Sequence, residues 1–305
     1  MSPRSLPVVA ATALLTVALA ACGAAGNGSG NSGAAPTSAA AAVTKDDTLA
    51  KLVPADVASD GKIVVASDTT YPPNEFIDAD GTTIIGMDVD LGKAIAQKLG
   101  LTAEFQTADF AGIIPGLAAK KYELGMSSFT DNADREKTVD MVSYFSAGTK
   151  VATLAGNPDN INADDLCGKN IAVQKGTVQV DDLTARSDKC TKAAKPAINL
   201  TQFQAQTDVT LALTSKRAQA FLADSPVVDY AVTQTNGQLA ALGAAYDTAP
   251  YGIAVPKGNG DYAKAIQGAV QALITDGTYK TILDKWGIAA GAIPTAQVNS
   301  AGKTG

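Results

Sequence analysis

GKIVVASD, residues 61–68, is a β-branched run of strand length, and MDVDLGKAIAQKLG, residues 87–100, sets Leu91, Ile95 and Leu99 on one helical face, with Asp88 near its start and Gly100 at its end. The alternation continues along the chain. AEFQT reads as a strand, GIIPGLAAKK as a helix and YELGMSS as a strand; beyond residue 150, NIAVQKG, a helix over 179–186, AINLTQF, a helix over 207–216 and AQAFLADS follow the same style without a sequence repeat. The segment opening on YGIAVP gives one more strand and two helices, the last with Tyr279, Ile282, Leu283 and Trp286 as an apolar core stripe. Strands and helices in this order predict an α/β fold of parallel-rich sheets flanked by helices. With 305 residues, 46% hydrophobic and 18% charged, the chain can fill two compact units of ordinary size.

Several functions are disfavoured by composition. The net charge of -6 and the lack of a long basic run speak against a nucleic-acid partner. Histidine is absent altogether, which removes the usual proton carrier and the commonest zinc ligand, so neither a metal nor a cofactor is expected. Gly28-Ser29-Gly30-Asn31-Ser32-Gly33 formally matches a dinucleotide fingerprint, but no strand precedes it and no helix follows.

Residues 1–22 read as an export signal: Arg4, then an apolar run too short to span a bilayer, then Leu19-Ala20-Ala21-Cys22, which resembles a bacterial lipobox with Cys22 as the lipidated residue. The chain is therefore expected outside the cytoplasm, at the cell surface or in a periplasm, held to the membrane by its lipid. Residues 23–57 read as a flexible tether, which at the reach of Gly/Ser-rich chains would average roughly 30–35 Å end to end. In an oxidising compartment the remaining pair, Cys167 and Cys190, reads as a structural disulfide worth roughly 3 kcal/mol by loop entropy.

In sheets of this class ligands sit beyond the carboxyl ends of the strands, where loops enter helix N-termini. The residues there are Asp68 with Tyr71, Phe110, Ser127 through Thr130 with Arg135, then Gly176 with Thr177, and Asp224. They comprise one guanidinium, two carboxylates, two rings and several hydroxyl or backbone donors, with no nucleophile beside a base. That set suits binding better than catalysis.

DTTYPPNEF, GMDVDLGKAIAQKLG, FAGIIPGLAAKKYELGMSSFTDNADREKTVD, VQKGTVQ and AFLADSP, in that order from about Lys62 to Ile288, resemble the family 3 solute-binding proteins of ABC importers. The resemblance implies a type II periplasmic-binding-protein fold: two lobes joined by a two-strand hinge, the ligand enclosed between them. Lobe 1 is expected over 58–149 and 250–291, lobe 2 over 150–249, and a disordered tail over 292–305. A monomer that delivers a free amino acid to a membrane permease is expected.

The resemblance also distributes roles. Arg135 is the carboxylate clamp, since a planar guanidinium can grip a planar carboxylate through two parallel bonds; the competing role is a surface pair with Glu136 or Asp131. Thr130 and the Gly176-Thr177-Val178 turn assist it. Asp224 meets the α-ammonium, with helix capping as its plainer role. Tyr71 and Phe110 sandwich the ligand's side chain, with core packing as the plainer role of Phe110; Asp68 meets the distal group, with strand-end capping as an equal alternative, Ser127 and Ser128 supply further donors and acceptors, and Gln174 adds a polar group. Asn74 stands where the family usually has an aromatic and makes the pocket more polar, whereas Gln219 reads as scaffolding. These features imply a glutamine-like or basic amino acid. Two other roles fit the same fold: a periplasmic dehydratase of cyclic aromatic-amino-acid precursors, with Glu75 or Asp68 as acid, and the binding module of a sensor.

Overall fold

A computed structural model describes residues 43–301. Cys22, the signal segment, the tether up to residue 42 and residues 302–305 lie outside the described residues.

The described chain begins with two short helices, α1 (Asp47–Ala50) and α2 (Ala55–Ala58). Strand β1 (Lys62–Ser67) leads to a small antiparallel sheet of β2 (Thr70–Tyr71), β3 (Glu75–Ile77) and β4 (Ile84–Ile85). Then follow α3 (Met87–Lys98), β5 (Thr102–Thr107), α4 (Phe110–Ala118), β6 (Leu124–Thr130), α5 (Ala133–Glu136) and the 16-residue β7 (Val139–Leu154). The next block runs β8 (Asn170–Gln174), α6 (Val178–Lys192), β9 (Asn199–Phe203), α7 (Gln206–Thr214), β10 (Ala220–Asp224) and α8 (Ser225–Gln234). The 18-residue β11 (Leu239–Pro256), α9 (Tyr262–Thr275) and α10 (Thr278–Trp286) complete it.

The main sheet has the order β5-β1-β6-β11-β7-β10-β8-β9. Each flank is parallel, β5-β1-β6 on one side and β10-β8-β9 on the other, while the long strands β7 and β11 run antiparallel to each other down the middle. One end of this pair joins β6 and the other joins β10, so two chain crossings connect the halves. The β7–β11 register shifts three times between Leu242 and Gly252. Such irregularities break the ladder and bend the strands locally, which is where a hinge needs compliance. The expected lobe boundaries, 149/150 and 249/250, fall inside these two strands.

The apolar faces are buried as separate clusters. Helices α3, α9 and α10 close over β1, β6 and β11 around Leu91, Ile95, Tyr262, Ile266 and Leu283. In the other half, one cluster gathers Val209, Leu213, Phe221 and Val228, and another gathers Ile171, Val173, Leu183 and Leu222. Cys167 and Cys190 are joined, fixing the start of α6's last turn to the loop before β8.

Two expectations at the chain ends are corrected. The tether does not extend to 57: Val53 and Val57 are buried against lobe 1, and Asp46 N donates to Lys98 O at 2.8 Å, because this stretch carries apolar residues that the Gly/Ser-rich part lacks. The tail is not disordered over 292–301. Val298 bridges Val142 of β7, Gln297 N donates to Ser143 Oγ at 2.8 Å, and Asn299 Nδ2 donates to Asp140 Oδ1 at 2.9 Å. Buried and half-buried polar side chains along β7 supply these partners, and composition alone does not reveal them.

Candidate functional site

The strand ends converge. Tyr71, Phe110, Ser128, Thr130, Arg135, Gln174, Thr177, Val178, Gln179 and Asp224 line one crevice between the halves. Its free volume is about 10 Å³, room for about one water, so an amino acid enters only if the halves part.

Arg135 is presented by the short helix α5, whose start is capped by Asn132 Oδ1 accepting from Arg135 N at 2.9 Å. Its Nη1 donates to Thr130 O at 2.7 Å and its Nη2 donates to Gly176 O at 3.2 Å, the latter across the crevice. Its guanidinium carbon lies 5.4 Å from the ring centre of Phe110 and 5.3 Å from that of Phe129, and these rings are stacked on each other. Burial lowers the Arg135 pKa to about 10, with Asp224 and Asp181 opposing the shift. The acids adjacent in sequence are engaged elsewhere: Asp131 accepts from Ser300 and Glu136 from Ala301. The surface-pair role therefore gives way to a guanidinium stacked inside the crevice.

Asp224 ends β10, and its side chain does not cap α8. Instead Oδ1 accepts from Gln179 Nε2 at 2.7 Å and Oδ2 accepts from Tyr251 OH at 2.8 Å, while its own N–H donates to Tyr71 OH at 3.1 Å. Burial raises its pKa against the opposing Tyr251, Tyr71, Gln179 and Arg135.

Asp68 sits beside the crevice rather than in it. Oδ1 accepts from Thr70 N and Oγ1, and Oδ2 accepts from Phe110 N at the start of α4 at 3.0 Å and from Gln174 Nε2 at 2.8 Å. Its oxygens are thus committed to capping and to holding Gln174. Ser127 also lies outside the lining: its Oγ accepts from Asp68 N and donates to Glu75 Oε1. Ser128 reaches both the crevice and Glu75, and Asn74 Nδ2 donates to Ser128 Oγ at 2.9 Å. Thr177 Oγ1 turns back to Gln174 O at 2.8 Å. Gln219 binds Asn170 N and Asp159 and is scaffolding.

Gly176 does not line the crevice, yet its place there is steric. Its φ is +82°, and a Cβ would lie 2.9 Å from Ala111 Cβ on the opposite half. Gly176→Ala is therefore expected to hinder closure as well as strain the turn, at a left-handed cost of roughly 1–2 kcal/mol, and to weaken ligand binding by about tenfold. Titration calorimetry checks this, and unchanged affinity would mean that this approach plays no part in closing.

The sequence reading did not single out four residues of the site: Gln179, Tyr251, Asp88 and Tyr144. Asp88 in the first turn of α3 accepts from Ser128 N at 2.9 Å and from Tyr144 OH at 2.8 and 2.9 Å through its two oxygens. Gln179 carries a legible signal, since it falls in the first turn after the β8 strand end. Tyr251 and Tyr144 carry none, because each is a core residue of a hinge strand whose hydroxyl happens to face an acid.

Residues 63–289 match the family model described as bacterial extracellular solute-binding proteins, family 3. The chain belongs to that family. Among its relatives, the arginine-binding protein ArgT of Corynebacterium glutamicum is 34% identical over 249 residues, 81% of each chain. Among solved structures, an ancestral arginine-binding protein is similar at TM-score 0.69 and 33% identity both in its glutamine-bound form, covering 75% of this chain and 98% of that one, and in its arginine-bound form, covering 74% and 98%. The ancestral amino acid-binding protein AncCDT-1, a precursor of cyclohexadienyl dehydratase, is similar at TM-score 0.66 and 29% identity, covering 76% and 97%. In this family 3 member, as in those structures, helices flank mostly parallel strands, the type II periplasmic-binding-protein arrangement.

Proposed function

We propose that this chain captures a free L-amino acid with a cationic side chain, arginine foremost, outside the cytoplasm and presents it to an ABC permease in the closed form. The observation that carries the choice is a charge imbalance. Asp68, Glu75, Asp88 and Asp224 are all buried at or beside the crevice, and Arg135 is the single cation lining it among the described residues. A zwitterion uses Arg135 for its carboxylate and Asp224 for its ammonium, which leaves acid in excess for a second positive group. Glu75 stands directly opposite Tyr71 in the β2–β3 pair, so the two side chains share a face, and Tyr71 lines the crevice. Arginine bound to the ancestral relative, and arginine named for ArgT, support the cationic choice, while glutamine bound to the same ancestral relative makes it the second ligand to test.

Contacts from both halves to one ligand favour closure by population shift, with the β7–β11 pair as hinge. Lipidation at Cys22, anchoring to the membrane, a monomeric state and the permease itself belong to this proposal. A thermal-shift screen of the twenty amino acids, followed by calorimetry, tests it: arginine is expected to raise the melting temperature most, since a ligand of the folded state stabilises in proportion to its affinity. A larger shift with an acidic or apolar amino acid would overturn the choice. The likeness to the dehydratase precursor gives a second reading, with the buried Glu75 as acid; turnover of a cyclic aromatic-amino-acid precursor would establish it.

A further inference from the structure

Glu75 and Asp88 form an acid pair behind Ser128, which lines the crevice, and both acids are 0% exposed. Glu75 Oε1 accepts from Ser127 Oγ at 3.0 Å and Oε2 from Ser128 Oγ at 3.2 Å. Ser128 Oγ also lies 3.4 Å from Asp88 Oδ2, and its single hydroxyl proton serves only one of the two acids. Asp88 further accepts from Ser128 N and from Tyr144 OH. The titratable groups facing the pair are Asp68 and Tyr71 from the β1–β2 segment and Tyr144 from β7. None is a cation, and among the described residues no lysine or arginine forms an ion pair with either acid. Two buried carboxylates that converge on one hydroxyl without a counter-charge do not both stay ionised.

We propose that Glu75 and Asp88 share one proton and surrender it to solvent when a cationic side chain enters, whereas a neutral amide side chain leaves it in place. The pair thereby fits one site to two ligand charges, with Asp88 and Tyr144 as positioning residues that never touch the ligand. This rests on the cationic-ligand reading above. Burial acts in the same direction on both acids: it raises Asp88 to about 6, opposed by Tyr144, and raises Glu75 well above the carboxylate range, with the neighbouring Asp88 adding to the rise. Binding of a cationic side chain thus starts from a pair that already carries the shared proton. Loss of that proton on binding makes arginine affinity fall as the pH is lowered, because the protonated form must then be paid against solvent acidity.

Calorimetry at pH 7 in two buffers of different ionisation enthalpy is the test. Arginine is expected to release about one proton and glutamine none, and lowering the pH from 7 to 6 is expected to weaken arginine about tenfold while leaving glutamine unchanged. In Asp88→Asn the neighbouring charge that adds to the Glu75 rise is removed while burial remains, so Glu75 gives up its proton at lower pH: fewer protons are released at pH 7 and the arginine pH profile moves to lower pH; a merely structural role would move affinity but not the proton count. Should that variant not fold, Tyr144→Phe removes a donor from the ionised pair, and release is then expected to persist to higher pH. Arginine binding without proton exchange, or equal exchange with glutamine, overturns the inference. Failure of arginine to bind at all overturns the ligand assignment instead.

Discussion

Arg135→Ala is expected to cost about 2–5 kcal/mol of ligand binding, the range for truncating one partner of a buried charge pair, which is roughly a thirtyfold to several-thousandfold rise in Kd. The guanidinium is held on its own half before any ligand arrives: Thr130 O accepts from it and two stacked rings lie beneath it. A carboxylate then meets a group whose orientation has already been set, and alanine removes charge, geometry and the ring contact together. The fold is expected to survive, because α5 is capped by Asn132 and flanked by Asp131 and Glu136, which hold the C-terminal segment. Calorimetry of arginine and a thermal melt of the free protein together decide the matter. Near-native affinity in a folded variant would remove the clamp from the mechanism.

Asp224→Asn is expected to separate affinity from stability. The substitution keeps the shape but withdraws the negative charge proposed to meet the ammonium, at a cost of about 3–5 kcal/mol for a broken buried pair and hence a Kd roughly a hundredfold to several thousandfold higher. The free protein is not expected to lose comparable stability. Burial already raises this acid's pKa, so the charged form is strained in the absence of a ligand, and a neutral amide relieves that strain while one hydrogen bond must reorient. Melting curves with and without arginine check this: the ligand-induced shift should collapse while the free protein's midpoint stays nearly in place. A large fall in the free protein's midpoint would instead make Asp224 chiefly a structural group tying Gln179 to Tyr251.

The flanks of the fold were legible because each short strand and each helix carries its own signal. β1 is a β-branched run, and α3 presents Leu91 and Ile95 every turn. Of the hinge strands only the YGIAVP end of β11 is legible as a strand, and the hinge itself comes through family resemblance. β7 is buried along nearly its whole length, so the alternation that marks a half-exposed strand is missing, and β11 begins LAALGAAY, a run of helix-favouring residues that pairing with β7 holds extended. In the site, Arg135, Asp224, Tyr71 and Phe110 were readable as strand-end residues, and the structure brings all four to one crevice. Asp68 was readable as a strand-end acid, but whether it faces a ligand or a helix start depends on where Phe110 N lies, which no local pattern encodes. The Glu75–Asp88 pair joins residues from separate elements through Ser128, and only tertiary packing places them together.

The family match stops at residue 289, yet the strap of chain beyond it is laced along β7 and ends on the turn that carries the guanidinium, with Ser300 on Asp131 and Ala301 on Glu136. A biosensor or crystallisation fragment trimmed at the family border would thus discard a buttress of its own binding arm. Fusions made at the C-terminus need a spacer after residue 301 if the arm is to keep its aim.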